Sequence, residues 1–253
     1  MALSKFFKEQ IKKPLNRQFH RGNKHHCPIC GYKARDWKAI GRDNDIMREY
    51  EIIGGGRRRG GCYGCGSNER ERQIYLYLKA EQLKNPEKLT VLHIAPEDAL
   101  SKKLLEAGFK EYVCGDLFNE GYSYPSHVRN MDILEIPFPD ATFDLIICNH
   151  VLEHIQDDRR AMSELYRVLK PTGKALVQVP FSRKLEQSME DPSIREAHER
   201  EAAFGQFDHV RIYGLDYFSR LREAGFLIEE INLSDSFPKA GINPEENLII
   251  GSK

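Results

Sequence analysis

The stretch TFDLIICNHVLEHIQDDRRAMSELYRVLKPTGKALVQVP (142–180) decides the fold of this chain. It opens with the strongly apolar run TFDLIICN (142–149) and closes with KALVQVP (174–180), and both runs are typical of buried strands. Between them, residues 157–169 place apolar side chains on one face at helical spacing, and Pro171 follows. A buried strand, a helix and a second buried strand in this order predict two parallel strands joined by a crossover helix.

The flanking sequence continues this alternation. The segments with strand or helix patterns are LTVLHIA (89–95), DALSKKLLEAGF (98–109), EYVCGDL (111–117), GLDYFSRLREAGF (214–226), FLIEEINL (226–233) and NLIIGSK (247–253). Interleaved strands and helices of these lengths indicate an α/β fold whose parallel sheet is covered on both faces. The last two strands have no helix between them, so we expect the final strand to insert antiparallel.

Three motifs lie at the expected strand ends, namely VLHIAPED (91–98), GDLF (115–118) and the block 131–180. In this order they resemble the class I S-adenosylmethionine-dependent methyltransferases. The strings H-x-A-P-E, H-V-L-E-H and FGQFDHVRIYG (204–214) are similar to a methyltransferase type 11-like subgroup. The resemblance implies a seven-stranded Rossmann-like sheet with an antiparallel last strand over residues 68–253. It also implies that S-adenosylmethionine binds beyond the carboxyl ends of the strands.

The resemblance assigns nine cofactor-binding residues. They are His93, Ala95, Glu97, Asp116, Leu117, Asp132, Ile133, Asn149 and His150. By analogy with the family, Asp116 is expected to accept both ribose hydroxyls. Asp132 and Ile133 are expected to meet the adenine, and Asn149 and His150 to lie under the methionine moiety.

The first motif departs from the family pattern of an acidic residue followed by G-x-G. His93, Ala95 and Glu97 hold these places, and Pro96 has no amide hydrogen to donate. We expect Ala95 to permit a close approach of the cofactor, and Glu97 to pair with the methionine ammonium.

Methyl transfer to a protonated acceptor needs a group that removes the proton. The candidate catalytic residues are His150, Glu153, His154, Asp208 and His209. The spacing of HVLEH (150–154) is similar to a zinc-binding helix pair, but the metalloprotease order H-E-x-x-H places the glutamate beside the first histidine. We therefore favour a base or an orienting histidine here. Asp208 is expected to fix the tautomer of His209.

A long polar segment, residues 181–213, is predicted to form a substrate lid. Its candidate substrate-binding residues are Glu190, Asp191, Arg200 and Arg211. Arg211 is expected to clamp an anionic group of the substrate, because a guanidinium offers a planar fork of donors.

Two C-x-x-C pairs precede the predicted sheet and are separated by 31 residues. They consist of Cys27, Cys30, Cys62 and Cys65. Each pair aims two thiolates at one ion, and four thiolates close a tetrahedron. We therefore predict a structural zinc in a ribbon-like module over residues 27–67. The solitary Cys114 and Cys148 lie in apolar runs and are expected to be inert core residues.

The charge is unevenly distributed along the chain. Residues 1–80 carry 18 Lys+Arg against 8 Asp+Glu, and the remainder carries 20 against 30. Residues 1–26 are predicted to be a basic extension with apolar residues at helical spacing before Pro14. No apolar run approaches the ~20 residues that span a bilayer. The first residues lack the pattern of a secretory signal, so a cytoplasmic location is expected.

Three functions fit these features. The first is O-methylation of a hydroxyl on a sugar, a glycan or a small metabolite. The second is methylation of RNA, with Arg57, Arg58 and Arg59 gripping phosphates. The third is a non-catalytic zinc-ribbon adaptor, which the altered first motif would allow. The chain has neither an N-P-P-Y-type site nor paired catalytic cysteines for base methylation, which favours the first function.

Overall fold

A computed structural model of the chain describes residues 14–42, 44–119 and 123–253. The helix expected before Pro14 lies outside these residues. Residues 14–19, the first described residues, are helical. In the described ranges, no helix is long and apolar enough to cross a bilayer.

The centre of the molecule is a seven-stranded sheet. Its strands are β5 (Thr90–Ile94), β6 (Glu111–Asp116), β7 (Val128–Asn130), β8 (Phe143–Asn149), β9 (Leu169–Gln178), β12 (Leu227–Ile231) and β13 (Leu248–Ser252). The spatial order is β12-β13-β9-β8-β5-β6-β7. Strand β13 runs antiparallel to both neighbours, and the pairs from β9 to β7 are parallel. The predicted fold class is confirmed. The short edge strand β7 was not apparent from the sequence because it has only three residues.

Besides residues 14–19, the described residues contain six α-helices. They are α1 (Asp45–Glu49), α2 (Glu69–Glu81), α3 (Asp98–Leu105), α4 (Asp158–Val168), α5 (Ala197–Phe204) and α6 (Asp216–Glu223). Helix α4 begins where the Asp157 carboxylate accepts a hydrogen bond from the Arg160 amide at 3.1 Å. It ends at Val168, earlier than expected, because β9 begins at Leu169 and includes Pro171.

The cysteine module is built from two small antiparallel pairs. Strand β1 (Arg21–His26) pairs with β2 (Lys33–Ala34), and β3 (Lys38–Ile40) pairs with β4 (Arg58–Gly61). Strand β1 lies within the segment expected to be a separate basic extension, so the folded module begins before residue 27.

Two apolar clusters cover the two faces of the sheet. One joins the sheet to α4 and α6. The other joins Ile29 and Trp37 of the cysteine module to Leu78 of α2 and to Leu145 of β8. The module therefore shares a hydrophobic core with the sheet, and burial of these side chains fixes its position at one end of the strands.

The predicted lid has its own secondary structure. It contains β10 (Met189–Glu190), α5 and β11 (Arg211–Ile212), and β10 pairs with β11. The Asn44 amide donates to the carbonyls of Glu201 and Gly205, each at 3.3 Å. These bonds tie the lid to the segment that links β3 to β4.

Candidate functional site

Three adjacent parallel strands end side by side and bring the motif residues together. Strands β6, β5 and β8 end at Asp116, Ile94 and Asn149. The next residue is in the left-handed region after two of them, with φ of 46° at Ala95 and 55° at His150. A side chain with a Cβ is strained in this conformation, and such strain is found most often at functional sites.

The side chain of Glu97 is held by neighbours at this edge. Its carboxylate contacts His93 Nε2 at 3.1 Å and accepts a hydrogen bond from the Asn149 amide. Burial raises the pKa of Glu97, but the contacts with His93 and Asn149 outweigh it, so the pKa lies below its usual value. His93 is fully buried, and its Nδ1 pairs with the Tyr112 hydroxyl at 2.7 Å. The resemblance implied that His93 contacts the cofactor; in the structure its ring is buried and orients the Glu97 carboxylate.

The other predicted cofactor residues are unequally placed. Asp116 is half-buried at the end of β6, and Leu117 beside it is exposed. The exposed Asp132 accepts a hydrogen bond from the Leu134 amide at 2.8 Å, which closes a turn. Ile133 is buried in the core cluster, so it backs this turn from the inside and offers little surface to a ligand.

An aromatic pair next to Asp116 was missed at the level of sequence. Phe118 is 42% exposed, and its ring stacks on that of Tyr124 at a centroid distance of 4.1 Å. Exposed aromatic rings beside a carboxylate at a strand end offer a flat surface on which a planar ligand could stack. The signal in the sequence was the apolar pair that follows Asp116, which is unusual for a surface loop.

A buried carboxylate with three histidines around it lies beyond β8. Glu153 is 1% exposed, and its Oε1 lies 3.3 Å from His150 Nδ1 and 3.9 Å from His154 Nε2. Burial alone would raise the pKa of Glu153, but the surrounding histidines, with His150 the strongest, lower it to about 2. The buried His209 has a lowered pKa because burial disfavours its charged form.

Asp208 does not orient the histidine that follows it. Its carboxylate and its carbonyl face Nδ1 of His154, at 3.4 Å and 3.2 Å, whereas Nδ1 of His209 faces the Phe204 carbonyl at 3.3 Å. The expected Asp208–His209 pair is therefore wrong, because successive side chains of this loop point in different directions. The rings of His154 and His209 meet edge to face at 4.8 Å.

These side chains line a cavity of about 720 Å³. Its walls include His150, Glu153, His154, His209, Gly54, Gly55, Arg70, Gln206 and Phe207. The cavity therefore lies between the cysteine module, the lid and the carboxyl edge of the sheet. Its volume is in the usual range for a small-molecule site.

Two further charged residues lie next to this cavity, and no sequence motif marks either of them. Arg70 donates to the Gly54 carbonyl at 2.8 Å and faces His150 Nδ1 at 3.0 Å. Glu246 is 3% exposed, and neither of its carboxylate oxygens has a hydrogen-bond partner in the described structure. Its Oε1 lies 3.9 Å from His150 Nε2. Both residues reach the site from distant parts of the chain, so no local pattern could mark them.

The predicted substrate residues of the lid lie elsewhere. Arg211 is buried, and its guanidinium donates to the carboxylate of Glu190 and to three backbone carbonyls. Glu190 also binds Arg220 at 3.0 Å. Arg211 is thus a structural residue and not the expected anion clamp. Asp191 caps its own turn through Ser193. The lid contributes Glu201, residues 205–207 and His209 to the cavity wall, but not Arg200.

The four cysteines form a compact cluster. Cys27 Sγ lies 3.8 Å from Cys65 Sγ, and Cys30 Sγ lies 3.7 Å from Cys62 Sγ. A zinc tetrahedron with bonds of about 2.3 Å has sulfur–sulfur edges of about 3.8 Å, so the donor set fits this ion. All four coordination positions would be filled by thiolates, which is typical of a structural site.

Both cysteine loops have the same local geometry. The Gly31 amide donates to the Cys27 carbonyl at 2.9 Å, and the Gly66 amide donates to the Cys62 carbonyl at 3.0 Å. Each glycine follows its C-x-x-C pair with a positive φ, 71° at Gly31 and 86° at Gly66. The turn therefore folds the two sulfurs of each pair toward the same point.

A buried arginine connects the cysteine cluster to the sheet domain. Arg72 of α2 donates to the carbonyls of Gly60 and Ser67 in the module, at 2.8 Å and 2.9 Å. It also donates to the carbonyls of Ala240 and Gly241 at 2.6 Å and 2.9 Å. Its guanidinium lies 4.0 Å from the centroid of the Trp37 ring. No motif in the sequence marks Arg72.

Comparison with known proteins agrees with the motifs. Residues 84–177 match the profile of a family described as "Methyltransferase domain". "Uncharacterized methyltransferase YcgJ" of Bacillus subtilis is 31% identical over 118 residues, which are 44% of this chain and 44% of that protein. An uncharacterized methyltransferase of Schizosaccharomyces pombe is 51% identical over 83 residues, 33% of this chain and 28% of that protein.

The solved structure of the YcgJ protein from Bacillus subtilis is also similar. It has a TM-score of 0.44 and 19% sequence identity, and the match covers 68% of this chain and 80% of that one. The chain spans 21% to 44% of the length of the first curated relatives that it matches. The predicted resemblance to methyltransferases is confirmed by the matched region.

Proposed function

We propose that this chain is an S-adenosylmethionine-dependent methyltransferase that transfers a methyl group to a hydroxyl of a sugar, a glycan or a small metabolite. The observation that carries the proposal is the position of the cavity. It opens beside the strand ends that hold the family motifs, and its floor holds the buried Glu153 with its histidines. Donor and acceptor sites would therefore adjoin, as an in-line displacement requires.

The cofactor would lie along the ends of β5, β6 and β8. The half-buried Asp116 would accept the ribose hydroxyls, and the exposed Leu117 and Phe118 would flank the adenine. Burial raises the pKa of the Asp116 carboxyl, and two hydroxyl donors would favour its charged form. Glu97 and Asn149 would face the methionine end of the cofactor. The side-chain oxygen of Asn149 has no protein partner in the described structure.

The acceptor hydroxyl would bind over the histidines. When bound, S-adenosylmethionine supplies an activated methyl group, and the protein must then place the acceptor and remove its proton. His154 has the best position for this role, because Nδ1 is fixed by Asp208 and Nε2 points toward Glu153. A histidine held in one tautomer by a carbonyl and a carboxylate is a stronger base at its other nitrogen.

RNA methylation finds less support in the arrangement of the arginines. Arg58 is bound by Glu69 and by the carbonyls of Gly55 and Gly56, and Arg59 donates to the Trp37 carbonyl at 3.4 Å. Two of the three arginines expected to grip phosphates are thus engaged within the protein. A cavity of about 720 Å³ also suits a small acceptor.

Calorimetric titration with S-adenosylhomocysteine tests the cofactor site. We expect the full chain to bind the ligand and Asp116→Ala to weaken the affinity at least about 10-fold, since two charge-assisted hydrogen bonds are lost. The control Asp235→Ala removes an exposed carboxylate from the loop before β13 and should leave the affinity unchanged. No binding at millimolar ligand would favour the adaptor, and an unchanged affinity of Asp116→Ala would remove the proposed ribose contact.

The acceptor class is tested by labelling a cell extract with radioactive methyl donor in the presence of the purified chain. Label that resists ribonuclease and stays with glycans or small molecules is expected. Loss of the label on ribonuclease treatment would instead identify RNA as the acceptor. His154→Ala should reduce the rate of methyl transfer by about 10²-fold or more while cofactor binding persists.

A further inference from the structure

We propose that Glu153, His154 and His209 form a second metal site, for a divalent transition-metal cation, on the floor of the cavity. The ligand atoms of the three residues lie within 4.8 Å of one another. Binding of the ion does not require methyl transfer, but it would change the role of His154: its Nε2 would then be a metal ligand, and the acceptor hydroxyl would lose its proton while coordinated to the ion.

The site is assembled from two segments that are held together by the backbone. Glu153 and His154 lie in a short 3₁₀ turn (Leu152–His154) that follows β8. His209 lies in the loop before β11, and the Val210 amide next to it donates to the Glu153 carbonyl at 3.0 Å. This bond fixes the distance between the two segments.

The carboxylate at the centre has an oxygen without a partner. Glu153 is 1% exposed, and its Oε2 has no hydrogen-bond partner in the described residues. Arg70 does not serve this role, since it donates to the Gly54 carbonyl and faces Nδ1 of His150. A buried carboxylate oxygen without a protein donor is energetically unfavourable. An ion at this oxygen would remove the cost.

The two histidines are oriented as metal ligands usually are. Nδ1 of His154 pairs with the carbonyl and carboxylate of Asp208, and Nδ1 of His209 pairs with the Phe204 carbonyl. Because these acceptors hold the proton on Nδ1, Nε2 of each ring carries the lone pair. Metal-binding histidines typically have their second nitrogen bonded to a carbonyl or a carboxylate in this way.

The geometry requires only small side-chain movements. His154 Nε2 lies 3.9 Å from Glu153 Oε1, and ligand bonds of about 2.1 Å in a tetrahedron give edges of roughly 3.4 Å. A proton can bridge only two of the three acceptors, which are the Glu153 carboxylate and the ring nitrogens of His154 and His209. A cation can bind all three.

The ligand set indicates which ion would bind. Two imidazoles and one carboxylate suit zinc, iron(II) or manganese(II), and three protein ligands leave open positions. These positions would face the cavity, where a bound ion lowers the pKa of a coordinated hydroxyl or water. The four-cysteine cluster differs, because its thiolates fill every position.

The test is the metal content of the full chain, measured by mass spectrometry after reconstitution with zinc and removal of free ion. We expect two zinc ions per wild-type chain and one in His209→Ala. The control His198→Ala changes an exposed histidine of α5 and should keep two. One ion in the wild-type chain, or two in His209→Ala, would overturn the proposal.

Cobalt substitution identifies which site is lost. Cobalt bound to thiolates has a strong charge-transfer absorption, whereas cobalt bound to nitrogen and oxygen has only weak visible bands. His209→Ala should lose the weak bands and keep the thiolate absorption. If His209→Ala does not fold, the partly exposed His154→Gln gives the same readout, and retention of both signals there contradicts the site. Neither measurement depends on cofactor binding, so failure of the methyltransferase proposal remains distinguishable.

Discussion

The four-cysteine cluster and the carboxyl edge of the sheet use polar residues in opposite ways. In the cluster, four sulfurs match one tetrahedron, and the adjacent Arg72 is bonded to four carbonyls. At the edge, Ala95 and His150 have strained backbone, and one buried side-chain oxygen each of Glu153 and Asn149 has no hydrogen-bond partner among the described residues. Buried polar groups with hydrogen-bond partners stabilise a fold. Strained backbone and buried polar groups without partners mark places where a bound ligand can supply the missing interactions. Substitutions should therefore destabilise the cluster and can stabilise the edge.

The largest effect is expected from Cys62→Ser. Loss of one thiolate should release the zinc from the cysteine cluster and unfold the module, because metal binding supplies most of the folding free energy of such small units. Metal analysis measures the loss of the ion, and faster tryptic cleavage at Arg57–Arg59 reports the unfolding. Cys114→Ala, a change at a solitary buried cysteine, is the control and should retain the ion. A module that resists trypsin without zinc would show that the shared core alone holds it.

Arg72→Met should be the next most damaging change. It leaves four carbonyls in the contact between module and sheet without their donor, which we expect to lower the free energy of unfolding by roughly 2–4 kcal/mol. Denaturant titration measures this quantity. Arg222→Met, at an exposed position of α6, should change it by less than about 0.5 kcal/mol. Equal effects of the two substitutions would contradict the role of Arg72 as the link between the two regions.

Glu71→Gln should remove a pH dependence of the stability near the edge. Glu71 accepts hydrogen bonds from the amides of Asn68 and Leu100, and burial together with the nearby Glu97 raises its pKa to about 7 from an ordinary value of 4.5. The wild type therefore loses stability as the pH rises from about 4.5 to 7, and the full cost remains above pH 7.

Glutamine has no charge, but it keeps only one of the two acceptor oxygens, and its NH2 group would face the other backbone amide. This loss does not depend on pH, so the stability of Glu71→Gln relative to wild type should rise by about 1 kcal/mol or more between pH 6 and pH 8.5. Thermal unfolding at the two pH values measures the difference. Glu81→Gln at an exposed position of α2 is the control and should show no such dependence. A gain independent of pH would mean that ionisation of Glu71 is not its cause.

The smallest effect is expected from Ala95→Gly. At a φ of 46° a glycine avoids the clash of Cβ with the backbone, so the free energy of unfolding should rise by about 0.5–1 kcal/mol. Ala99→Gly in the first turn of α3 should act in the opposite direction, because glycine weakens a helix. Denaturant titration of both variants checks the signs. A loss of stability in Ala95→Gly would show that the strand end is not strained.

Local patterns in the sequence determined the fold and the cysteine site. The alternation of apolar strands and amphipathic helices depends on hydrophobic burial at fixed spacing, so it is visible in the order of residues around 142–180. Likewise, each C-x-x-C pair forms its half of the cluster within a few residues. The seven-stranded sheet and the four sulfurs are found where these patterns indicated. Within the sheet, only β7 and the boundaries of the strands differed, because short edge strands contain little apolar periodicity.

The tertiary structure alone decided the partners at the cavity. Asp208 pairs with His154 instead of His209, and Arg211 binds Glu190 within the lid. Glu246, which precedes β13, lies next to His150, which follows β8. These contacts join residues that are 21 to 96 positions apart, so they depend on how whole elements pack. The sequence by itself therefore determined the presence of the polar residues and the α/β frame. Packing determined which of them meet, because side-chain direction in loops is set by contacts with distant parts of the chain.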